Sequence, residues 1–353
     1  MLTNIFSLHP DELTEQLNKD FPKYRSKQLI EWIYKHFVVD PALMKNLPAD
    51  FRTYLNEHFS FDIPYLDKEL FSKDGASKYR FRLSDNEVIE SVLIPERTKH
   101  TLCISSQAGC KHKCSFCATG KMGFKRNLTT DEMVSQILLG SQECLKTTTI
   151  PSAITNPPAP LPRITNLVFM GMGEPMDNLD NVLQTLRIIQ ADNTLAFSPR
   201  RTTISTCGIV PAIIKFADSG VRAKLAISLN SAIDAKRDIL MPVNRRYPLN
   251  ELKQAALYYL RKTSFRITFE YILIPGENMG REDLNALRKF VGDISCKINF
   301  IPFNPGYSTT YQAPDAKQIE DFMRAAQALP QAITLRKSRG ADVFGACGQL
   351  SNN

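Results

Sequence analysis

Short apolar runs alternate with amphipathic segments through the central and C-terminal parts of the chain, and this alternation limits the possible folds most. The predicted strands are 166–171, 202–205, 223–228, 265–274, 297–302 and 332–337. Segments with helical spacing lie between them, as in DEMVSQILLG, NVLQTLRIIQ, LNELKQAALYYLRK and IEDFMRAAQAL. Repeated strand–helix units form a parallel sheet. The sequence therefore predicts an α/β fold whose units form an open or partial barrel.

Two further regions precede this core. The N-terminal region is predicted to be helical, because Leu29, Ile30, Ile33 and Phe37 share one helical face. The pattern then changes to alternation in KYRFRL, EVIESVLI and TLCISS, which predicts antiparallel strands leading into the core. We therefore divide the chain into a small helical accessory domain (1–60), a connecting β segment (61–95), a barrel core (96–345) and a C-terminal tail (346–353).

Composition and charge suggest the cellular location of the protein and the kind of partner that it binds. No run approaches the roughly 20 apolar residues of a membrane span. The N-terminus lacks the basic-then-apolar layout of a signal peptide, so we expect a cytoplasmic protein with no membrane partner. A formal net charge of +8 suggests a polyanionic partner such as nucleic acid. The Pro-rich stretch 147–163 is predicted to be a flexible surface insertion.

Three cysteines in the run CKHKCSFC predict an iron–sulfur centre. Cys110, Cys114 and Cys117 have the spacing C-x3-C-x2-C, which holds three irons of a [4Fe–4S] cluster and leaves the fourth iron without a protein ligand. An open iron can chelate the amino and carboxylate groups of S-adenosylmethionine. Phe116 and the following ATGKMGFKRN complete the radical-SAM motif.

The alternative for this run is a structural zinc site. Zinc normally takes four closed ligands in paired CxxC motifs. His112 is available as a fourth ligand, but it lies inside the loop and would have to fold back on its own turn. A disulfide framework is disfavoured by the expected cytoplasmic location.

A glycine-rich turn, MGMGEP, follows the predicted strand 166–171. Gly171 and Gly173 let the backbone approach a ligand closely, and Glu174 can accept hydrogen bonds from an ammonium group. A tight structural turn would explain the same residues. Because three cysteines at cluster spacing lie upstream, we favour a site that binds the amino group of S-adenosylmethionine. Ser205, Ser228 and Asn304 also fall near the carboxyl ends of strands, where barrel active sites lie.

Two more cysteines fall outside the cluster spacing. Cys347 lies in GACGQL near the C-terminus, and Cys103 lies in TLCISS before the cluster run. A lone cysteine is usually a buried small hydrophobe, which is how we interpret Cys144, Cys207 and Cys296. The glycines around Cys347 favour a loop that brings its thiol over the barrel mouth, and a thiolate there can accept a methyl group.

The whole chain resembles the RlmN/Cfr family of radical-SAM RNA methyltransferases. The resemblance rests on landmarks in order along the sequence: YRSKQLIEWIY, VIESVLIPE, TLCISSQAGCKHKCSFCATGKMGFKRNL, NLVFMGMGEPMDN, RRTTISTCGIVP, LAISLN, MPVNRRYP, CKINFIPFNP and FGACGQL. It implies a partial (β/α)6 radical-SAM barrel with a small N-terminal helical accessory domain. Asn230 stands where some members have histidine, which affects only the details of cofactor contact.

The resemblance also implies site residues. Cys110, Cys114 and Cys117 would bind the [4Fe–4S] cluster. The implied contacts of S-adenosylmethionine are Gly173, Glu174, Ser205, Ser228, Leu229, Asn230 and Asn304. Cys347 matches the cysteine that is first methylated, and Cys103 matches its partner, which resolves the enzyme–RNA intermediate through a transient disulfide. Glu90 matches a carboxylate assigned as proton acceptor, a role for which Cys103 competes.

The expected reaction is methylation of C2 of an adenine in 23S rRNA, near the peptidyl-transferase centre, extending to the adenine 3′ of the tRNA anticodon. Two molecules of S-adenosylmethionine would be used per turnover, with an electron donor such as flavodoxin or ferredoxin. Two alternatives remain: Cfr-type methylation of C8 of the same adenine, and a non-catalytic iron–sulfur RNA-binding protein. The cations expected to neutralise RNA phosphates are Arg200, Arg201, Arg245, Arg246, Arg336, Lys337 and Arg339.

Overall fold

A computed structural model describes residues 2–96, 98–146, 163–305 and 311–351 of the chain. The predicted surface insertion at 147–163 lies outside the described residues except for Arg163. The main feature of the described part is one ten-stranded mixed sheet, accompanied by two short strand pairs. None of the described helices is long and apolar enough to cross a membrane.

The N-terminal unit is mostly helical, as predicted. Its elements are β1 (Thr3–Asn4), α1 (Pro10–Leu17), α2 (Lys23–Tyr34), α3 (Ala49–His58) and β2 (Phe59–Ser60). The short parallel pair of β1 with β2, which the sequence did not predict, joins the two ends of the unit. Phe37 was predicted on the face of α2, but the helix ends at Tyr34 and Phe37 has a φ of 56°.

The N-terminal unit shares its hydrophobic core with the barrel. Leu29, Ile33 and Phe51 are buried in this core, and barrel side chains, including Leu138 and Ile188, enter the same cluster. Packing of an apolar helix face against a neighbour supplies most of the stability of a short helix. The helices of the unit therefore depend on the barrel surface.

An antiparallel run forms one side of the sheet. It consists of β3 (Tyr65–Phe71), β4 (Ser77–Arg82), β5 (Val88–Pro95) and β6 (His100–Cys103), paired in that order. The predictions for β4 and β5 are confirmed. Strand β3 was not predicted, because charged residues interrupt its alternation. Since β5 pairs with β6, the segment 61–95 continues the sheet of the barrel.

The barrel follows, with one or two helices after most of its strands. After β6 come β7 (Gln107–Gly109), α4 (Ala118–Met122), β8 (Phe124–Asn127), α5 (Thr130–Lys146), β9 (Asn166–Phe169), α6 (Leu179–Gln190), β10 (Thr202–Thr206) and α7 (Val210–Asp218). Then come β11 (Lys224–Ser228), α8 (Asp234–Leu240), α9 (Leu249–Thr263), β12 (Ile267–Leu273), α10 (Arg281–Val291), β13 (Cys296–Pro302), α11 (Ala316–Ala326) and β14 (Ala332–Leu335).

Seven strands of the sheet are parallel, in the order β6, β9, β10, β11, β12, β13, β14. Helical crossovers join each strand to the next, which confirms the predicted partial (β/α)6 barrel and adds a seventh strand at its edge. The carboxyl ends of all seven strands meet at one edge of the sheet, where ligands bind in such folds.

The C-terminal segment 344–351 returns over this edge. The N–H of Ala118 donates to the carbonyl of Gly348 at 2.8 Å, and Thr119 Oγ1 donates to the carbonyl of Leu350 at 2.6 Å. Gln349 Nε2 donates to the carbonyl of Pro305 at 2.8 Å. The segment that carries Cys347 is therefore held against the loop of the three closely spaced cysteines.

Candidate active site

A cavity of about 950 Å³, partly open to solvent, lies at the carboxyl edge of the barrel; we call it the cluster cavity. Cys110, Cys114 and Cys117 all line it, and Cys347 lines it from the C-terminal segment. The other predicted residues in its wall are Gly173, Glu174, Ser205, Ser228 and Asn230. The fold therefore brings together residues that are far apart in the sequence.

The loop of the three cysteines is shaped by its own backbone. Strands β7 and β8 pair on either side of it, and Cys110 N donates to the carbonyl of Gly123 at 3.0 Å. Cys117 N donates to the carbonyl of Cys114 at 3.1 Å. Burial raises the pKa of the Cys110 thiol to about 12, since a thiolate there loses its hydration. Metal binding deprotonates such thiols and offsets that cost.

The side chain of His112 is engaged elsewhere. Its Nε2 lies 2.5 Å from Asp177 Oδ2, and Lys111 Nζ lies 2.9 Å from the other oxygen of that carboxylate. Burial acts to raise the pKa of Asp177, but the hydrogen bonds from His112 and Lys111 lower it below its usual value. His112 is thus a partner of Asp177 in this loop through its Nε2.

The glycine-rich turn after β9 crosses the base of the cluster cavity. Gly173 has a φ of 96°, and a Cβ there would lie 2.4 Å from the Cβ of Gln107. Only glycine fits this position. Glu174 is buried, and its carboxylate accepts from the N–H groups of Met176 at 3.0 Å and Cys207 at 2.7 Å. Burial raises the pKa of Glu174, and a bound ammonium group would favour the charged form of its carboxylate.

Of three other residues predicted to contact S-adenosylmethionine, one lines the cluster cavity and two lie outside its lining. Asn230 lines the cavity in a left-handed conformation, and its Oδ1 accepts from Ile272 N at 2.9 Å. Leu229 is buried outside the cavity lining. Asn304 also lies outside that lining, and its Nδ2 donates to Ser338 Oγ at 2.7 Å and to the carbonyl of Cys347 at 3.4 Å. Asn304 therefore contacts the backbone of the cysteine-bearing segment.

A second cavity, of about 750 Å³, lies beside the first; we call it the thiol-pair cavity. Cys103, at the end of β6, and Cys347 both line it. Burial raises the pKa of Cys103 to about 12. Four residues belong to the walls of both cavities: Met170, Arg336, Cys347 and Leu350. Cys347 thus stands in the partition between a space lined by the three cysteines and a space lined by Cys103.

Sequence reasoning missed two buried charged residues, Arg237 behind the wall of the cluster cavity and Glu270 in it, and gave a third only a surface role. Arg237 is fully buried and donates to the carbonyls of Cys207, Ser228 and Leu229. It ties together the ends of β10 and β11, which no pattern in its helix indicated.

Glu270 on β12 is the second missed residue. It lines the cluster cavity, and its Oε1 accepts from Asn299 at 3.0 Å, while its buried Oε2 has no hydrogen-bond partner among the described residues. Burial raises the pKa of Glu270. The available signal was a carboxylate in the mostly apolar strand FRITFEYILI. Arg336, expected only to meet phosphates, lines both cavities.

Glu90 does not lie in either cavity lining. It is fully buried on β5, where Lys78 Nζ donates to its Oε1 at 2.9 Å and Ser351 N donates to its Oε2 at 3.1 Å. The structure thus separates Glu90 from the cavities that hold the two thiols.

The cations expected to bind phosphates lie at two opposite edges of the sheet. Arg336, Lys337 and Arg339 line the thiol-pair cavity. The exposed pair Arg245 and Arg246 follows α8 at the same edge, whereas the pair 200–201 lies in the turn that leads into β10. Since this turn precedes the strand, the 200–201 pair lies at the opposite edge of the sheet, and the interpretation that it faces RNA over the barrel mouth is wrong.

The donor set suits a cluster better than a single ion. Among the described residues, no three His, Cys, Asp or Glu side chains converge as they would around one metal ion. A cubic cluster instead spreads Cys110, Cys114 and Cys117 over separate irons. The unpartnered oxygen of Glu270 and the buried carboxylate of Glu174 give the rest of the cavity acceptors for a polar, cationic ligand. The residues present therefore fit a [4Fe–4S] cluster and S-adenosylmethionine.

Two family models match parts of the chain. The radical SAM superfamily matches residues 160–291, and the ribosomal RNA large subunit methyltransferase N-terminal domain matches residues 3–61. The second match coincides with the helical unit that packs against the barrel.

Relatives match over almost the whole length. The dual-specificity RNA methyltransferase RlmN of Desulfotalea psychrophila is 41% identical, over 98% of this chain and 94% of its own. That of Bdellovibrio bacteriovorus is 38% identical, over 99% of this chain and 84% of its own. A crystal structure of a radical SAM methyltransferase from Sphaerobacter thermophilus superposes with a TM-score of 0.92 at 36% identity, covering 99% of this chain and 100% of that one.

Proposed function

We propose, starting from the fact that this chain belongs to the RlmN family of radical-SAM RNA methyltransferases, that it methylates C2 of an adenine in 23S rRNA. The adenine 3′ of the tRNA anticodon is the proposed second substrate. The reaction takes place in the cytoplasm, consumes two molecules of S-adenosylmethionine, and draws electrons from a flavodoxin or ferredoxin.

One observation carries this proposal: Cys347 lines both cavities. On one side its thiol shares a cavity with the three cysteines that would hold the cluster. On the other side it shares a cavity with Cys103. A binding protein has no use for a thiol in such a partition, whereas a methyl carrier must reach both the methyl donor and the acceptor base.

Cys110, Cys114 and Cys117 would hold the cluster, and Glu174 would accept hydrogen bonds from the amino group of the cofactor. When bound, the reduced cluster and S-adenosylmethionine supply the 5′-deoxyadenosyl radical that removes one hydrogen atom from a methyl group. The residues of the chain bind the cofactor, orient the reacting groups and carry the methyl group to the base.

Cys347 acts first, as a nucleophile. Its Sγ loses a proton and takes the methyl group of one S-adenosylmethionine, so that an S–CH3 bond forms and S-adenosylhomocysteine leaves. After loss of a hydrogen atom, the carbon on Cys347 bonds to C2 of adenine. The C2 proton then leaves to a base and one electron leaves to the oxidised cluster, which would accept it, so that the adenine stays joined to Cys347 through a thioether.

Cys103 completes the reaction. Its thiolate attacks Cys347 Sγ, so the carbon–sulfur bond breaks and a disulfide forms. The released base takes up a proton on its new carbon and leaves as the methylated product. Two electrons from the reductant then restore both thiols.

The test is mass spectrometry of RNA from a strain lacking the gene and from the complemented strain. We expect 2-methyladenosine to disappear from 23S rRNA and from tRNA in the first strain and to return in the second. Appearance of 8-methyladenosine instead would contradict the proposed position of methylation. Loss of neither nucleoside would contradict the proposed activity.

A further inference from the structure

A buried ion pair lies directly behind the segment that carries Cys347. Lys78 on β4 and Glu90 on β5 are 2% and 0% exposed, and Lys78 Nζ lies 2.9 Å from Glu90 Oε1. Taking two charges out of water is costly, and apolar residues of similar volume often stabilise a fold as well or better. Stability alone therefore does not explain this pair.

The pair binds the backbone of the C-terminal segment on both sides of Cys347. Glu90 Oε2 accepts from the N–H of Ser351 at 3.1 Å. Lys78 Nζ also donates to the carbonyl of Phe344 at 3.5 Å, the longer of the two contacts. Phe344 precedes Cys347 and Ser351 follows it. Loss of either charge would therefore weaken a hydrogen bond to the segment that carries Cys347.

Glu90 is poorly placed to take a proton from a substrate. Both oxygens of its side chain are already hydrogen-bonded, and neither cavity has Glu90 in its wall. Its backbone carbonyl accepts from Ser105 Oγ at 2.6 Å, which fixes the strand as well. A general base must come within hydrogen-bond reach of the proton that it removes.

We propose that Lys78 and Glu90 form a positioning pair, which holds the segment 344–351 so that Cys347 stays in the partition between the two cavities. This inference rests on the proposed function, because it concerns the methylation of Cys347. Holding a reacting atom in place matters greatly, since a misplacement of about 1 Å can reduce a rate about 100-fold.

The two roles for Glu90 differ in the step that they affect. On the proposed route, methylation of Cys347 precedes the attack on adenine, so it needs no base to remove a proton from adenine. A positioning role affects this early step, because Cys347 must stay in the cluster cavity to receive the methyl group. A proton-acceptor role affects only the later step on RNA.

The experiment uses the full chain with its cluster reconstituted, incubated with S-adenosylmethionine and reductant but without RNA. Peptide mass spectrometry gives the fraction of Cys347 that is methylated. We expect Glu90→Gln and Lys78→Met each to lower the initial rate of methylation about tenfold, because each leaves one buried charge unpaired. The double variant Lys78→Met/Glu90→Gln has no unpaired charge but lacks the ammonium and the carboxylate that hold the segment, so we expect it to stay slow. Recovery of the wild-type rate in the double variant would overturn the positioning role.

A second pair of variants leaves the ion pair and the core intact. Ser351→Pro removes the N–H that donates to Glu90, whereas Ser351→Ala keeps it. We expect slower methylation of Cys347 in the proline variant and the wild-type rate in the alanine variant. If Glu90→Gln does not fold, this pair decides the matter, and equal rates in its two members would overturn the inference.

The outcomes also separate this inference from the proposed function. A wild-type protein that holds a cluster but never methylates Cys347 would contradict the proposed function itself. Normal methylation in the wild type, in Glu90→Gln and in Ser351→Pro would overturn the positioning role alone. That second result, together with failure of Glu90→Gln on RNA, would assign Glu90 to proton removal.

Discussion

Cys103 and Cys347 share one cavity but differ in their surroundings. Cys103 is 9% exposed at the end of β6, among core side chains, whereas Cys347 is half-buried in the C-terminal segment. Burial disfavours the thiolate of Cys103, and the charge of Arg336 partly offsets this effect. The more accessible sulfur suits the methyl carrier, and the shielded sulfur suits a nucleophile that acts only on its neighbour.

Removal of either thiol is expected to stop the reaction, but at a different step. In Cys103→Ala, Cys347 should still be methylated and joined to RNA, but no thiolate remains to break the thioether. The protein should therefore accumulate as an RNA crosslink, visible as a shifted band on a denaturing gel. Cys347→Ala should give no crosslink, since it lacks the carrier. Normal turnover in Cys103→Ala, or the same crosslink in both variants, would contradict these roles.

Release of the RNA should depend strongly on pH. Because the pKa of Cys103 is raised to about 12, only a small fraction is thiolate near neutrality. That fraction grows about tenfold per pH unit below the pKa, so decay of the crosslink should speed up about tenfold for each pH unit, or about 100-fold between about pH 7 and pH 9. The measurement is the rate of loss of the crosslinked band after rapid mixing. A rate independent of pH would show that Cys103 deprotonation does not limit release.

At the scale of elements, the turn after β9 shows how closely the backbone must approach its neighbours. Gly171 and Gly173 both face the segment after β6: a Cβ on Gly171 would lie 2.7 Å from the carbonyl carbon of Ile104. The turn can reach the cavity only because these positions lack side chains. Glu174 follows directly and is thereby placed in the cavity wall.

Gly173→Ala should weaken the binding of S-adenosylmethionine by about tenfold or more, because the added methyl group overpacks against Gln107 and shifts the turn. Gly276→Ala is the matched control. Gly276 also has a positive φ, of 83°, but an added Cβ there meets no atom within 4 Å. Equilibrium binding to the reconstituted protein gives both dissociation constants. Equal weakening in the two variants would mean that backbone strain alone, not the contact with Gln107, is responsible.

At the scale of the whole molecule, the N-terminal unit and the barrel form a joint core, so we expect them to unfold together. Leu138→Ala, on α5, should lower the free energy of unfolding by about 2–5 kcal/mol, because it opens a cavity in that core. Leu43→Ala, at a side chain that is 59% exposed, should change it by less than about 0.5 kcal/mol.

The single tryptophan, Trp32, lies on α2 and reports on the N-terminal unit, while far-UV circular dichroism reports on the whole chain. For wild type and Leu138→Ala alike, we expect the two signals to give the same denaturant midpoint. Separate midpoints would show that the unit unfolds independently of the barrel.

The sequence predicted the barrel well because each of its strands carries a local signal. Strands β9 to β14 lie within a few residues of the predicted runs. Contacts between distant segments left no such signal. Arg237 resembles an ordinary cation of an exposed helix, yet it is buried where β10 and β11 end. Lys78 and Glu90 lie in alternating strands, and nothing local shows that they meet Phe344 and Ser351.

The partition that contains Cys347 also imposes an order in time. On the proposed route, the cluster cavity must release S-adenosylhomocysteine and admit a second cofactor molecule before the base can be attacked, so methylation of Cys347 precedes the attack on RNA. On this route the protein already carries a methyl group on Cys347 before it reacts with RNA. The first methyl group that RNA receives is one that the protein already carries, and isotope supplied with fresh cofactor enters the product only from the second round onward.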